Sequence, residues 1–365
     1  MTRTLASYQA AGQGRMTMGG EPLIFHCNHY NYWLQHTVRL AGGEAMDPMI
    51  RDAAASVAHA LLSASKTELG LDSPEAVLAL AGDVFSELGF GMLDFGAASA
   101  SGGKVITPVS HYGDTLGAAC PGTIKRQQNL FDQGFAAAAL AVAHGLPAGA
   151  FEVTGGQCKS LGAEVGSVEL QRAAEDREVF AAAGAGHIGD ANAGDPYADT
   201  KVDEGAILQA LSGLDFSGNE EGLTPRFGVM LTHHFANFYN RISFEFHRHM
   251  TNTGLLDEGE TLLVEAGHRC AFNTFGGIMI SAEWDAVVKP QLESQADWVH
   301  GMVSVVNALG WGVWRVHELS EGRVVVRIYD DYESCGWVGM YDKSERPVSF
   351  LAAGGVAGMM NLIYP

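Results

Sequence analysis

Two stretches of the chain carry the same order of apolar and polar positions. In the first, Ser73-Pro74-Glu75 supplies an N-cap, an N1 proline and a first-turn acid, and Val77, Leu80, Ala81, Val84 and Leu88 follow at helical spacing. Gly89 stops that stripe, so the pattern predicts an amphipathic helix with a glycine end. In the second, Val299, Met302, Val303, Val306 and Leu309 repeat the stripe and Gly310 stops it. The β-branched run Val324-Val325-Val326-Arg327-Ile328-Tyr329 predicts a strand. Upstream of each helix, an apolar stretch runs into a segment rich in histidine and aromatic residues. These segments are Ile24-Phe25-His26-Cys27-Asn28-His29-Tyr30-Asn31-Tyr32-Trp33 and Met230-Leu231-Thr232-His233-His234-Phe235-Ala236-Asn237-Phe238-Tyr239.

Such order predicts an internal repeat. Setting Asn31 on Asn237, an offset of 206, aligns Tyr32-Trp33 with Phe238-Tyr239. Leu88-Gly89-Phe90-Gly91 then recurs as Leu309-Gly310-Trp311-Gly312 at an offset of 221. Lys104-Val105-Ile106 answers Arg323-Val324-Val325-Val326, while His111-Tyr112 answers Asp331-Tyr332 and Gly134 answers Gly354, both at 220. The growing offset puts extra residues in the second copy, around Lys289-Pro290-Gln291. The expected fold is α/β (α+β): two tandem modules of helix, helix, short strands and helix, packed as two layers. The first module covers residues 1–172 and the second 226–365, the latter ending before a final strand. Residues 173–225 read as an acidic Gly/Ala-rich linker with a short helix at Ala206-Ile207-Leu208-Gln209-Ala210-Leu211. If single ancestral modules paired about a two-fold axis, the chain is that dimer fused, an intramolecular pseudo-dimer; further homodimerisation stays open.

Composition narrows the classes of function. Of 365 residues, 47% are hydrophobic and 18% charged, which describes a well-buried globular chain. A net charge of -20 opposes binding to nucleic acid or to an anionic membrane surface. The first residues lack the apolar core of a secretory signal, and the apolar runs are too short or too broken to span a bilayer. Cys27, Cys120, Cys158, Cys270 and Cys335 are odd in number and scattered, pointing to reduced thiols and a cytoplasmic location.

A further set of features follows a recognisable order. The Gly89-Phe90-Gly91 turn leads into strands, Cys120 precedes a Gly/Ala-rich helix, and Cys158-Lys159-Ser160-Leu161-Gly162 then opens a strand with Ala163-Glu164-Val165. The second half offers Glu265-Ala266-Gly267, Gly310-Trp311-Gly312 and Gly354-Gly355. This order resembles the 4-vinyl reductase domain family, related in fold to small subunits of the transport-particle trafficking complex. The resemblance implies a pocket for a small hydrophobic, aromatic or tetrapyrrole-like ligand. Some members hold zinc through a Cys, a Glu and two further Cys. Cys120 and Cys158 match two of those places, but Gly155 and Gly166 stand at the other two, so the zinc set is incomplete.

Three groups of residues are candidates for a site. His26, Cys27, His29, His233 and His234 carry imidazole and thiol ligands that, on one helix or tight turn, could share a transition metal such as iron or zinc; equally they are helix-start histidines packed on aromatic rings. His111 and Tyr112 could supply a general acid or base, or form a plain turn. Tyr30, Trp33, Phe238 and Tyr239 could line a ligand pocket or the seam between modules. His247-Arg248-His249 beside Glu245 reads as a solvated helix face, and His268 with Cys270 as core. Gly184-Ala185-Gly186-His187-Ile188-Gly189 matches the dinucleotide fingerprint in spelling only, since no strand precedes it and no helix follows. The leading expectation is a binding protein for a small-molecule ligand. The alternatives are a metal-dependent enzyme, such as a small oxidoreductase with a His-rich site, and an assembly protein resembling trafficking-complex subunits.

Overall fold

The computed structural model describes residues 8–10, 15–119, 122, 124–184, 186 and 197–365. It is a mixed α/β fold of helices and small antiparallel sheets. The first half runs β1 (Tyr8–Ala10), β2 (Arg15–Met18), β3 (Glu21–Cys27), α1 (Asn28–Gly42), α2 (Met46–Leu69), α3 (Pro74–Glu87), β4 (Asp94–Ser99) and β5 (Gly102–Thr107). A π-helical turn (His111–Thr115) continues into α4 (Leu116–Ala119), and α5 (Leu130–Ala143), β6 (Phe151–Gln157) and β7 (Gly166–Arg172) follow. Between the halves lie α6 (Glu204–Ser212) and β8 (Thr224–Arg226). The second half runs β9 (Val229–Phe235), α7 (Ala236–Asn252), α8 (Leu256–Met279), α9 (Ala282–Val287), α10 (Gln295–Ala308), β10 (Val313–Ser320), β11 (Arg323–Tyr329), α11 (Tyr332–Tyr341) and α12 (Phe350–Ile363).

Each half thus passes through strand, helices, hairpin, short helix and long helix in one order. The capped helices predicted after Ser73 and before Gly310 are α3 and α10, and Ser73 Oγ accepts from the Ala76 N–H. The extra residues of the second half form α9 and a 3-10 turn at Lys289–Gln291.

The histidine-rich segments differ from expectation in being strands before they become helices. β3 and β9 pair antiparallel at the centre of the sheet β1-β2-β3-β9-β8, with Phe25 opposite His233. The Phe25 N–H donates to the Leu309 carbonyl and the His233 N–H to the Leu88 carbonyl, each at 2.9 Å. These reciprocal bonds make Phe25 the counterpart of His233, an offset of 208 rather than 206. His26 therefore corresponds to His234, and Asn31 to Tyr239 rather than to Asn237.

Each strand is anchored on a glycine that ends the other half's helix. Gly89 and Gly310 adopt φ of +83° and +84°, and a Cβ on either would lie 2.7 Å from Thr224 Oγ1 or the Leu23 carbonyl. The helices also cross between halves, α1 packing on α8 and α2 on α7. Within each half, α5 lies on α2 and α12 on α8. Gly134 and Gly354 stand at those two contacts, where any Cβ would collide with the Arg51 and Val264 carbonyls. One apolar core consequently runs through both halves, and a smaller one lies beneath the β4-β5-β7-β6 sheet.

The stretch expected as a linker is laid along both halves. Arg177 pairs with Asp52, Phe180 lies 4.7 Å under the Arg241 guanidinium, and the Ala181 and Ala183 carbonyls accept from Arg241 and Asn237. Further on, the Ala198 N–H bonds Val316 and α6 packs on α10 through buried Ile207 and Leu211. β8 crosses the expected boundary at residue 225 to pair with β9. Among the described residues, no helix is long and apolar enough to cross a membrane.

Candidate functional site

Successive side chains of a strand point to opposite faces, and this divides the histidine-rich segments. His26, Thr232 and His234 share one face of the β3–β9 ribbon, while Phe25 and His233 share the other and stack at 4.1 Å. Cys27 leaves the strand as the N-cap residue of α1, its Sγ 2.6 Å from Thr274 Oγ1 of α8 and hydrogen-bonded to the Cys270 thiol. His29 lies half-buried on α1. The five residues expected around iron or zinc thus do not converge, and among the described residues no three His, Cys, Asp or Glu side chains form a group that could hold a metal ion.

What does converge is a pair of aromatic boxes. His234 is enclosed by Phe90, Phe131, Phe238 and Tyr239 at 4.7, 4.5, 4.7 and 4.5 Å between ring centres. Its Nδ1 accepts the Phe235 N–H at 2.8 Å, so the neutral ring carries its proton on Nε2 and donates it to the Tyr112 oxygen 2.9 Å away. His26 is enclosed by Tyr30, Tyr239 and Trp311 at 4.0, 4.6 and 4.8 Å. Tyr332 stands 6.2 Å from the His26 ring, the same separation as Tyr112 from His234. Yet Tyr332 turns its hydroxyl toward Tyr30, and neither His26 Nδ1 nor Nε2 has a hydrogen-bond partner, although the residue is 1% exposed. Two equivalent histidines therefore sit in equivalent boxes, one satisfied and one not.

Asn31 ties the boxes together. Its amide N–H groups reach His111 Nε2 at 2.9 Å and Thr232 Oγ1 at 3.3 Å, and its Oδ1 accepts the Tyr239 hydroxyl at 2.5 Å. His111 Nε2 is then an acceptor, and Nδ1, which holds the proton, has no partner. His111 and Tyr112 belong to the π-helical turn, where the second half has the regular first turn of α11. Ser110 caps that turn by accepting from the Gly113 N–H while donating to Asp132. Single π turns often mark functional positions, and this one accompanies the reach of Tyr112 to His234 that Tyr332 does not match at His26.

Burial keeps the surroundings uncharged. It holds His26 and His234 well below the usual imidazole range, the neighbouring His111, His26 and His233 adding to the effect on His234. His111 and His233 are each lowered to about 3 by burial. Tyr30, Tyr112, Tyr239 and Tyr332 are all pushed well above the phenol range, chiefly by burial. Burial raises Asp132 to about 8 against its bond from Ser110, and raises Glu333 well above the carboxylate range with Asp331 adding to it. The Cys27 thiol goes the other way: burial raises it, but hydrogen bonds from Cys270, Thr274 and the Tyr30 and His29 N–H groups outweigh burial and the net shift is down.

The structure gathers Tyr30, Phe238, Tyr239, His26, His234, His111 and Tyr112 of the expected site residues. Trp33 faces elsewhere, beneath the Arg269 guanidinium at 4.5 Å. Phe90, Phe131 and Trp311 join the cluster without having been expected in a site, as does Tyr332, named only as the counterpart of Tyr112; Cys270, read as core, is buried and meets Cys27. Trp311 and Phe90 are the middle residues of the G-x-G turns, so their common place was signalled; the meeting of Cys27 with Cys270 had no local signal. Cys158 is buried with its Sγ 2.9 Å from Ser160 Oγ, whereas Cys120 and most of the stretch 185–189 lie outside the described residues. Comparison with protein-family models, curated proteins and solved structures finds no match to this chain.

Proposed function

We propose that the chain is a small-molecule-binding protein, built as an intramolecular pseudo-dimer of two 4-vinyl-reductase-like modules, with its ligand held at the seam between them. The observation that carries the reading is His26, buried among four aromatic rings with both nitrogens unbonded while its counterpart His234 is fully bonded. A buried polar group without a partner costs about 1–3 kcal/mol, and a ligand that hydrogen-bonds it removes that cost. The surrounding imidazoles, phenols and carboxyls are neutral, so a charged ligand would lose its hydration without gaining a counter-charge. The rings favour a flat partner. The ligand class that follows is a small, neutral aromatic bearing a hydroxyl or similar donor. Reaching His26 requires the seam to open, which makes association slow.

The test is calorimetric titration of the full chain with p-cresol, a neutral phenol, in the wild type and in His26→Phe. Saturable binding that is lost in the variant supports the reading. Equal binding by both proteins, or none by either, sinks it.

A further inference from the structure

We infer a second binding site on the outer face of α1, for a small organic anion with an apolar body, of which an aromatic carboxylate is the type. Tyr32, His36, Arg39 and Leu40 recur at helical spacing along α1 and, with Gly43 just beyond its end, form one wall of a cleft of about 240 Å³. Lys125, Arg126 and Gln128 form the other. Ligand sites run from roughly 300 to 1,000 Å³, so this cleft suits a ligand of a single ring.

Its chemistry is two-sided. Leu40 is 75% exposed and His36 is half-buried beside it, stacked at 5.3 Å on the buried Tyr32 ring, so the apolar surface presented to solvent is that of Leu40 and the edge of His36. Arg39 is already engaged, bidentate on Asp47 at 2.7 and 2.9 Å, and contributes a neutral pair. Lys125 and Arg126 are exposed, and among the described residues neither has a carboxylate partner, leaving two unbalanced positive charges on a chain of net charge -20. Arg269 of α8 is likewise paired, with Glu265 at 2.7 Å, and burial, then Arg269 and Arg39, lower the His36 imidazole below its ordinary value. A carboxylate placed between Lys125 and Arg126 is attracted there and repelled by most of the remaining surface, while its ring covers Leu40 and the exposed edge of His36. The site is independent of the seam: Tyr30, Asn31 and His26 belong to the buried cluster there, whereas half-buried His36 and exposed Leu40 reach the surface.

The experiment is titration of the full chain carrying His26→Phe, which removes the acceptor at the seam, with benzoate, with benzyl alcohol as the uncharged analogue and inorganic phosphate as the ring-free anion. Benzoate is expected to bind at least about tenfold more tightly than either control, more weakly as salt is raised. In the double variant Lys125→Ala, Arg126→Ala its affinity is expected to fall roughly tenfold. Both side chains are exposed, so an unchanged melting temperature verifies the variant's fold. Benzoate is expected to bind the wild-type chain and His26→Phe alike, which separates this site from the seam. Equal binding of benzyl alcohol and benzoate, phosphate binding as tightly as benzoate, or benzoate binding indifferent to the double variant would each overturn the inference.

Discussion

At the scale of single residues, His26 and Tyr112 make opposite demands on stability. His26 contributes two unsatisfied nitrogens to an aromatic box, so His26→Phe removes a buried penalty while keeping the ring. Its unfolding free energy is expected to hold or rise by about 1 kcal/mol in a urea titration; a loss beyond about 2 kcal/mol would show that the imidazole holds the fold. Tyr112→Phe does the reverse, depriving His234 of its acceptor at 2.9 Å, and is expected to cost about 1–3 kcal/mol by the same titration. Much of this residue list was legible in the sequence, because polar and aromatic types crowd the same stretch of both halves. Their roles were not. Whether neighbouring His26 and Cys27 act together depends on the backbone between them, and a strand running into a helix sends one to the rings and the other to Thr274.

Among elements, α3, α10 and the strand β11 were legible and the central strands were not. α3 and α10 are amphipathic, capped and glycine-stopped, so periodicity and punctuation agree. All seven residues of β3 are buried, which leaves no polar alternation to give a strand away, and helix α1 begins at the next residue. The same indifference to periodicity set the two segments two residues out of register. Glycine pairs were a better guide, because each has a steric cause. Gly134 and Gly354 allow α5 and α12 to touch the backbones of α2 and α8. Gly134→Ala and Gly354→Ala are each expected to destabilise by about 1–3 kcal/mol or more, and by similar amounts. Chemical denaturation of both variants checks this; a neutral effect at either would show that its helix crossing is looser than described.

On the scale of the molecule, the paired strands, crossed helices and continuous core make the halves interdependent. Calorimetry is expected to show a single unfolding transition; two separated transitions would contradict a shared core. Its dependence on pH follows from groups buried neutral. Glu21 and Asp132 sit near 8 when folded against ordinary values of 4.5 and 3.8, so the folded state keeps protons that the unfolded state releases. Their contribution is complete at low pH and is lost as pH rises toward 8. His111 and His233 sit near 3 against 6.5, so the unfolded state takes protons that the folded state refuses, and stability is lost as pH falls below 6.5. The two effects oppose one another between about 4.5 and 6.5, and above 6.5 only the carboxyls act. Melting temperature is therefore expected to be higher near pH 6 than at pH 8; the opposite order would mean that these carboxyls are ionised in the folded protein.

The claim that a neutral aromatic ligand bonds His26 at the seam is tested most directly by the imidazole nitrogens themselves. Long-range proton–nitrogen NMR spectra of the histidine rings, recorded with and without p-cresol, distinguish a nitrogen that accepts a hydrogen bond from one that does not. The account predicts that a ring nitrogen of His26 moves on binding while those of His234, already bonded to Tyr112 and Phe235, stay in place. Unmoved His26 nitrogens at saturating p-cresol would contradict it.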